Sequence, residues 1–128
     1  MTPTHLSAAW LDGVRLFEAG EYWEAHEAFE PLWLAASDLD KHFYGGVILL
    51  AAALHKARRM DSPRGGRRNF AKALKHLALV PDLYRGVSVR ELEARVHNAL
   101  RNEKSLPKLP WQEGHNVYKN VSRGRLNP

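Results

Sequence analysis

Apolar residues return every three or four positions through the first hundred residues of this chain, and nowhere do they alternate with polar ones over the length of a strand. A period near 3.6 belongs to a helix that buries one face, so the chain is restricted to packed helices. Leu6, Trp10, Val14 and Phe17 predict a first helix over about residues 4–19, ended by Gly20. A second, about 21–36, contains Pro31, which costs a helix about 3 kcal/mol and leaves the Glu27 carbonyl in need of a partner. The third, about 40–59, is capped by Asp38 or Asp40 and carries Tyr44, Ile48, Ala51 and His55 in one row. Its Gly45-Gly46 pair lets a neighbouring helix come close. Ser62-Pro63 joins a cap to a first-turn proline and opens a fourth helix to Val80, with Phe70, Ala73, Leu74 and Leu77 inward. Ser88-Val89-Arg90-Glu91 is a capping box for a fifth, about 89–102, which buries Leu92, Val96, Ala99 and Leu100.

Short connections between five such stripes give an all-α antiparallel bundle, and 128 residues suffice for one domain. The bundle occupies residues 1–104. Beyond it, prolines and glycines interrupt scattered apolar residues, so 105–128 is read as an extended tail that wraps the bundle to about Val121, with partial disorder as the alternative. The absence of cysteine excludes disulfides, thiolate zinc sites and cysteine nucleophiles. The N-terminus has neither a basic leader nor an apolar signal core, which points to a cytoplasmic protein. The longest uncharged stretch, Phe43 to His55, has 13 residues. A bilayer needs roughly 20, so no membrane partner is expected.

The net charge of +5 conceals an asymmetry along the chain. Met1 to His55 sets Arg15 and Lys41 against eight acidic residues, a balance of −6, whereas Lys56 to His76 sets eight basic residues against Asp61 alone, a balance of +7. Such a field steers an anionic partner or aligns two copies of the chain acidic face to basic face. Within the basic stretch, Arg58, Arg59, Arg64, Arg67 and Arg68 form a candidate site for phosphate, nucleic acid or an acidic protein surface. Cations at the start of the fourth helix oppose its dipole, so helix stability is not their reason for being there. No aromatic interleaving or known nucleic-acid motif accompanies them.

Chemistry is concentrated in Gly20 to Trp33. At about 100° per residue, Tyr22, Trp23, Phe29, Glu30 and Trp33 fall within roughly 60° of His26, while Glu21, Glu24 and Glu27 point elsewhere. His26 and Glu30 are therefore expected to be semi-buried, where ionisable groups must be paired, ligated or neutralised. Two arrangements answer that need. One is a hydrogen-bonded cluster of His26, Glu30, Tyr44 and His55, with Trp33 beside it, that fixes helix register. The other is a divalent metal such as zinc held by His26, Glu30 and His55, in a metal-dependent hydrolase with Glu27 or a water as base. His5, His42, His76, His97 and His115 have no ligand spacing.

His26-x-x-x-Glu30-x-x-Trp33, preceded by Gly20-x-Tyr22 and followed by Phe43-Tyr44-Gly45-Gly46-Val47-Ile48 and Ala53-Leu54-His55, resembles the domain-of-unknown-function family numbered 309, small helical bacterial and archaeal proteins. The likeness covers about Trp10 to Leu77. It implies a compact helical bundle and brings no established activity with it. Where the family usually has glutamines flanking the glycine of the second block, this chain has Gly45 and Leu49. A tetratricopeptide-like spacing from Gly20 to Phe29 occurs in one good copy, too few for a solenoid. The reading is a non-catalytic binding or structural domain, with the hydrolase and the anion-binding protein as alternatives and a homodimer as one form of partnership. Whether the chain is an enzyme stays open on residues alone.

Overall fold

A computed structural model describes residues 4–112, with side chains from residue 8 onward. The side chain of Leu6 and the tail's expected path to Val121 lie outside the described residues. Five helices follow one another: α1 (Thr4–Glu18), α2 (Tyr22–Ala35), α3 (Asp38–Arg58), α4 (Pro63–Leu77) and α5 (Val89–Arg101). Between α4 and α5 stands a two-stranded antiparallel hairpin, β1 (Leu83–Tyr84) and β2 (Val87–Ser88). Consecutive helices pack as hairpins, and α3 lies at the centre, touching α2, α4 and α5. Among the described residues no helix is long and apolar enough to cross a membrane.

The core follows from the periodicity. Phe43, Val47, Leu50 and Leu54 form the deepest row of α3 and meet Phe17, Ala25, Phe29, Leu77, Leu92 and Val96 from the surrounding helices. The row through Tyr44, Ile48, Ala51 and His55 flanks it, and Ile48 and His55 are only partly buried. Three glycines set how closely the helices approach. A Cβ on Gly13 would collide with the Phe29 ring, one on Gly46 would lie 2.5 Å from Leu77, and one on Gly66 would lie 2.9 Å from the Ala53 carbonyl oxygen.

Helix ends combine expected and unexpected devices. Gly20 takes φ +82°, and the amides of Gly20 and Glu21 donate to the carbonyls of Phe17 and Leu16. Ser62 caps α4 by accepting a hydrogen bond from the Gly65 amide at 3.1 Å, with Pro63 in the first turn. The other two caps differ from expectation. Ser37, not Asp38 or Asp40, precedes α3, and its side chain makes no cap bond. Ser88 likewise leaves the start of α5 uncapped, and Asp82 takes over: its carbonyl accepts from Val89 and its carboxylate from the Arg90 amide at 3.0 Å. The hairpin makes this possible by folding Asp82 back over the helix start.

Residues 105–112 cross the surface without a helix, bridging to β2 at Trp111. The amide of Leu109 donates to the Glu18 carboxylate at 3.0 Å, Pro110 accepts from the Ser88 amide, and Trp111 bridges Val87. Leu109 is buried, and the Trp111 ring meets Trp10 edge-on at 5.8 Å. A groove of about 800 Å³ beneath this crossing includes Glu18 and Arg95. Both already serve the crossing, Arg95 by donating to the Lys108 carbonyl.

Candidate functional site

The aromatic run of α2 builds a shelf. His26 lies flat on the Trp23 indole, with ring centroids 4.7 Å apart and planes 9° from parallel, as residues three apart on a helix can. His55 of α3 meets the same indole at 5.3 Å and 41°. Trp23 is 44% exposed and, with His55, Arg59, Met60 and Glu21, lines a cleft of about 390 Å³. His26 Nδ1 is buried without a hydrogen-bond partner among the described residues. Thus His26 and His55 come together, but through a shared indole.

Glu30 stands apart from them, and this corrects the expectation of a semi-buried pair. The buried residues of α2 are Tyr22, Ala25, Phe29 and Leu32, whose mean direction lies roughly 80° to one side of His26. His26 therefore sits at the edge of the buried arc, and Glu30, about 40° further round the other way, is exposed. Tyr44 is also elsewhere. Its ring packs on Phe43 at 5.1 Å and Trp10 at 6.3 Å, on the α1 side of α3, where burial raises the phenol's pKa. Among the described residues no three His, Asp or Glu side chains are grouped to hold a metal. The zinc triad of His26, Glu30 and His55 is not assembled, and a hydrolase built on it loses its ligand set.

Trp33 serves packing. Its indole Nε1 lies 3.3 Å from where a Cβ on Gly45 would stand, so the glycine in place of a longer residue admits the ring. Lys41 lies over the ring, its Nζ 4.2 Å from the centroid and donating to the Trp33 carbonyl at 3.3 Å.

The basic segment divides in two. Arg58 is committed to the fold: one Nη donates to the carbonyls of Ala99 and Asn102 at 2.9 and 3.0 Å, tying off the end of α5, and the other reaches Tyr22 Oη at 3.5 Å. Burial raises the Tyr22 pKa against the opposing pull of Arg58 and Arg59. Arg59 stands 3.9 Å from Glu21 at the cleft. Arg64, Arg67 and Arg68 are exposed on α4, joined by Lys72 and Lys75 one and two turns on. At about 100° per residue these five cations occupy one arc of roughly 140°. None pairs with a carboxylate among the described residues.

Two polar contacts were hidden by sequence distance. Asp40 receives Tyr84 Oη at 2.6 Å and both Nε and Nη2 of Arg85, at 2.9 and 2.8 Å, which anchors the hairpin to α3. The Arg85 hydrogen bonds hold the Asp40 carboxyl below its usual range. Burial, then the bond to Asp40, pushes the Tyr84 phenol up to about 12. The second contact joins His42 Nδ1 and His76 Nδ1 at 3.0 Å across α3 and α4. Partners 34 residues apart carry no spacing that a sequence window could detect.

Residues 10–69 match the model of the domain of unknown function family DUF309. A conserved hypothetical protein of known crystal structure from Thermus thermophilus is 38% identical, with a TM-score of 0.66 over 79% of this chain and 99% of that one. The chain belongs to DUF309. An uncharacterized protein of Aquifex aeolicus is 32% identical over 85 residues. This DUF309 chain aligns with 25% of that relative's length, through 66% of its own. The match over residues 10–69 takes in the shelf, Trp33, Gly45 and the arginines of α4 up to Arg68, whereas Lys72, Lys75 and the hairpin lie beyond it.

Proposed function

We propose that this DUF309 chain is a non-catalytic binding domain that takes a nucleic acid on the exposed face of α4. The observation that carries the reading is the row Arg64, Arg67, Arg68, Lys72 and Lys75, five exposed cations on one side of a helix that contains no acidic residue. Of the five, Lys75 alone lies in the last turn of α4, where the helix dipole favours a cation. Arg64 opposes the dipole at the start of α4, and none of the five is engaged in an ion pair among the described residues. Neutralised phosphates would release counterions, which makes this arrangement favourable with a polyanion and salt-dependent. A protein working in the cytoplasm meets such partners throughout.

The test is titration of a labelled single-stranded oligonucleotide at several salt concentrations. With all five cations engaged, log K falls against log salt with a slope of about −3.5, and the double substitution Arg67→Ala with Lys72→Ala makes it shallower by about 1.4. Absence of binding at low salt, or a slope indifferent to the double substitution, would reject the reading.

A further inference from the structure

His42 and His76 make a contact that neither the core nor the cationic face requires. They project from different helices, α3 and α4, are partly buried, and bring Nδ1 to within 3.0 Å of Nδ1. Between two neutral imidazoles such a contact needs one ring to donate and the other to accept. If both nitrogens present lone pairs, a metal ion can sit to one side of the line joining them, within bonding distance of each. We propose that His42 and His76 chelate a divalent first-row transition metal, with Cu(II) preferred and water completing the coordination.

Geometry favours that ion. Metal–nitrogen bonds of about 2.0–2.1 Å spanning a 3.0 Å separation subtend an angle of about 94° at the metal. This is the cis angle of a tetragonal site, the geometry of Cu(II) and Ni(II); a tetrahedral zinc centre would need the nitrogens further apart. Imidazole suits copper, which also stands highest in the divalent affinity order. The neutral pair needs only to move its bridging proton to the far nitrogen of the same ring, so binding to it releases no net proton.

The surroundings are mixed, and the balance accepts a cation. His76 is the penultimate residue of α4, where the helix presents its negative end. Asp38, one turn before His42, is exposed and has no ion pair among the described residues, whereas Asp40 is engaged by Arg85. Of the nearby cations, Lys41 lies over Trp33, and Lys72 and Lys75 are exposed. The site is separate from the Trp23 shelf that carries His26 and His55, and stands whether or not α4 binds nucleic acid.

Copper(II) titrated into the full chain, made without a histidine tag, tests the proposal. One equivalent is expected, with an electron paramagnetic resonance spectrum showing two equatorial nitrogens. His42→Asn and His76→Asn should each weaken binding by at least tenfold, a bound set by what removal of merely supporting groups costs metal sites, while His97→Asn and His115→Asn leave it unchanged. Affinity in the first two variants equal to that of the unaltered chain would overturn the site. A measurement on the unaltered chain guards against misfolded variants: substoichiometric copper should broaden the His42 and His76 ring signals in nuclear magnetic resonance before those of other histidines. Broadening that begins elsewhere, or none, would equally overturn it.

Discussion

Asp40 shows what one side chain can hold. Its carboxylate takes two bonds from Arg85 and one from Tyr84, so a charged group on α3 keeps the hairpin in place. Because Arg85 depresses the folded pKa, the stabilisation is complete above the ordinary carboxylate range and is lost as pH falls through the depressed value. Tyr84 acts in the opposite sense: its raised pKa makes its contribution complete below pH 10, with loss as pH rises through about 12. Asp40→Asn should cost about 1–3 kcal/mol at neutral pH and flatten the acid limb of the stability curve, as followed by urea denaturation from pH 7 down to pH 3. An unaltered acid limb would show that the contact contributes nothing. From sequence alone Asp40 reads as a helix cap, because its partners lie 44 and 45 residues away and no local pattern contains them. The same distance hides the meeting of His42 with His76, while the Trp23–His26 stack, three residues apart, is legible in the spacing.

At the scale of elements, periodicity located all five helices because each must turn a continuous apolar stripe inward, and those stripes survive in any window of a dozen residues. It missed the hairpin. Two residues per strand are too few to alternate visibly, and the turn is made by Arg85 and Gly86, both with positive φ, in the manner of a type I′ connection. It also misplaced Glu30, since Trp23 and Trp33, gathered near His26 but not buried, shift the apparent centre of the buried face away from Ala25 and Leu32. The Gly45-Gly46 pair of α3 was readable as a site of close approach, Gly66 of α4 was not, and Gly66 offers the cleanest trial. Helix propensity alone would make Gly66→Ala stabilising by about 1 kcal/mol. The new methyl would meet the Ala53 carbonyl at 2.9 Å and Ala57 at 3.0 Å, and overpacking of that kind costs about 1–3 kcal/mol. A net loss in thermal denaturation, instead of the gain propensity promises, is the expected outcome.

Over the whole molecule, charge and chain path lead in different directions. The acidic first half supplies α1 and α2, and the basic stretch supplies α4, so the asymmetry seen along the chain becomes an asymmetry in space around α3. The segment 105–112, by contrast, joins distant parts of the chain: Leu109 to Glu18 of α1, and Trp111 to β2. Leu109→Ala should cost about 2–5 kcal/mol if the segment belongs to the cooperative core, toward the lower end if the surface collapses around the gap. Thermal denaturation read by tryptophan fluorescence, which senses Trp10 and Trp111, would report it. The segment leans on few backbone bonds, whereas the helices enclose theirs, so it is the seam along which the molecule opens first. Peeling it back would uncover Trp10, whose indole nitrogen is already buried without a partner among the described residues, and release Glu18. Deuterium would thus enter the Leu109 amide well before the amides of α3, and an early-exchanging edge would border an otherwise slow interior.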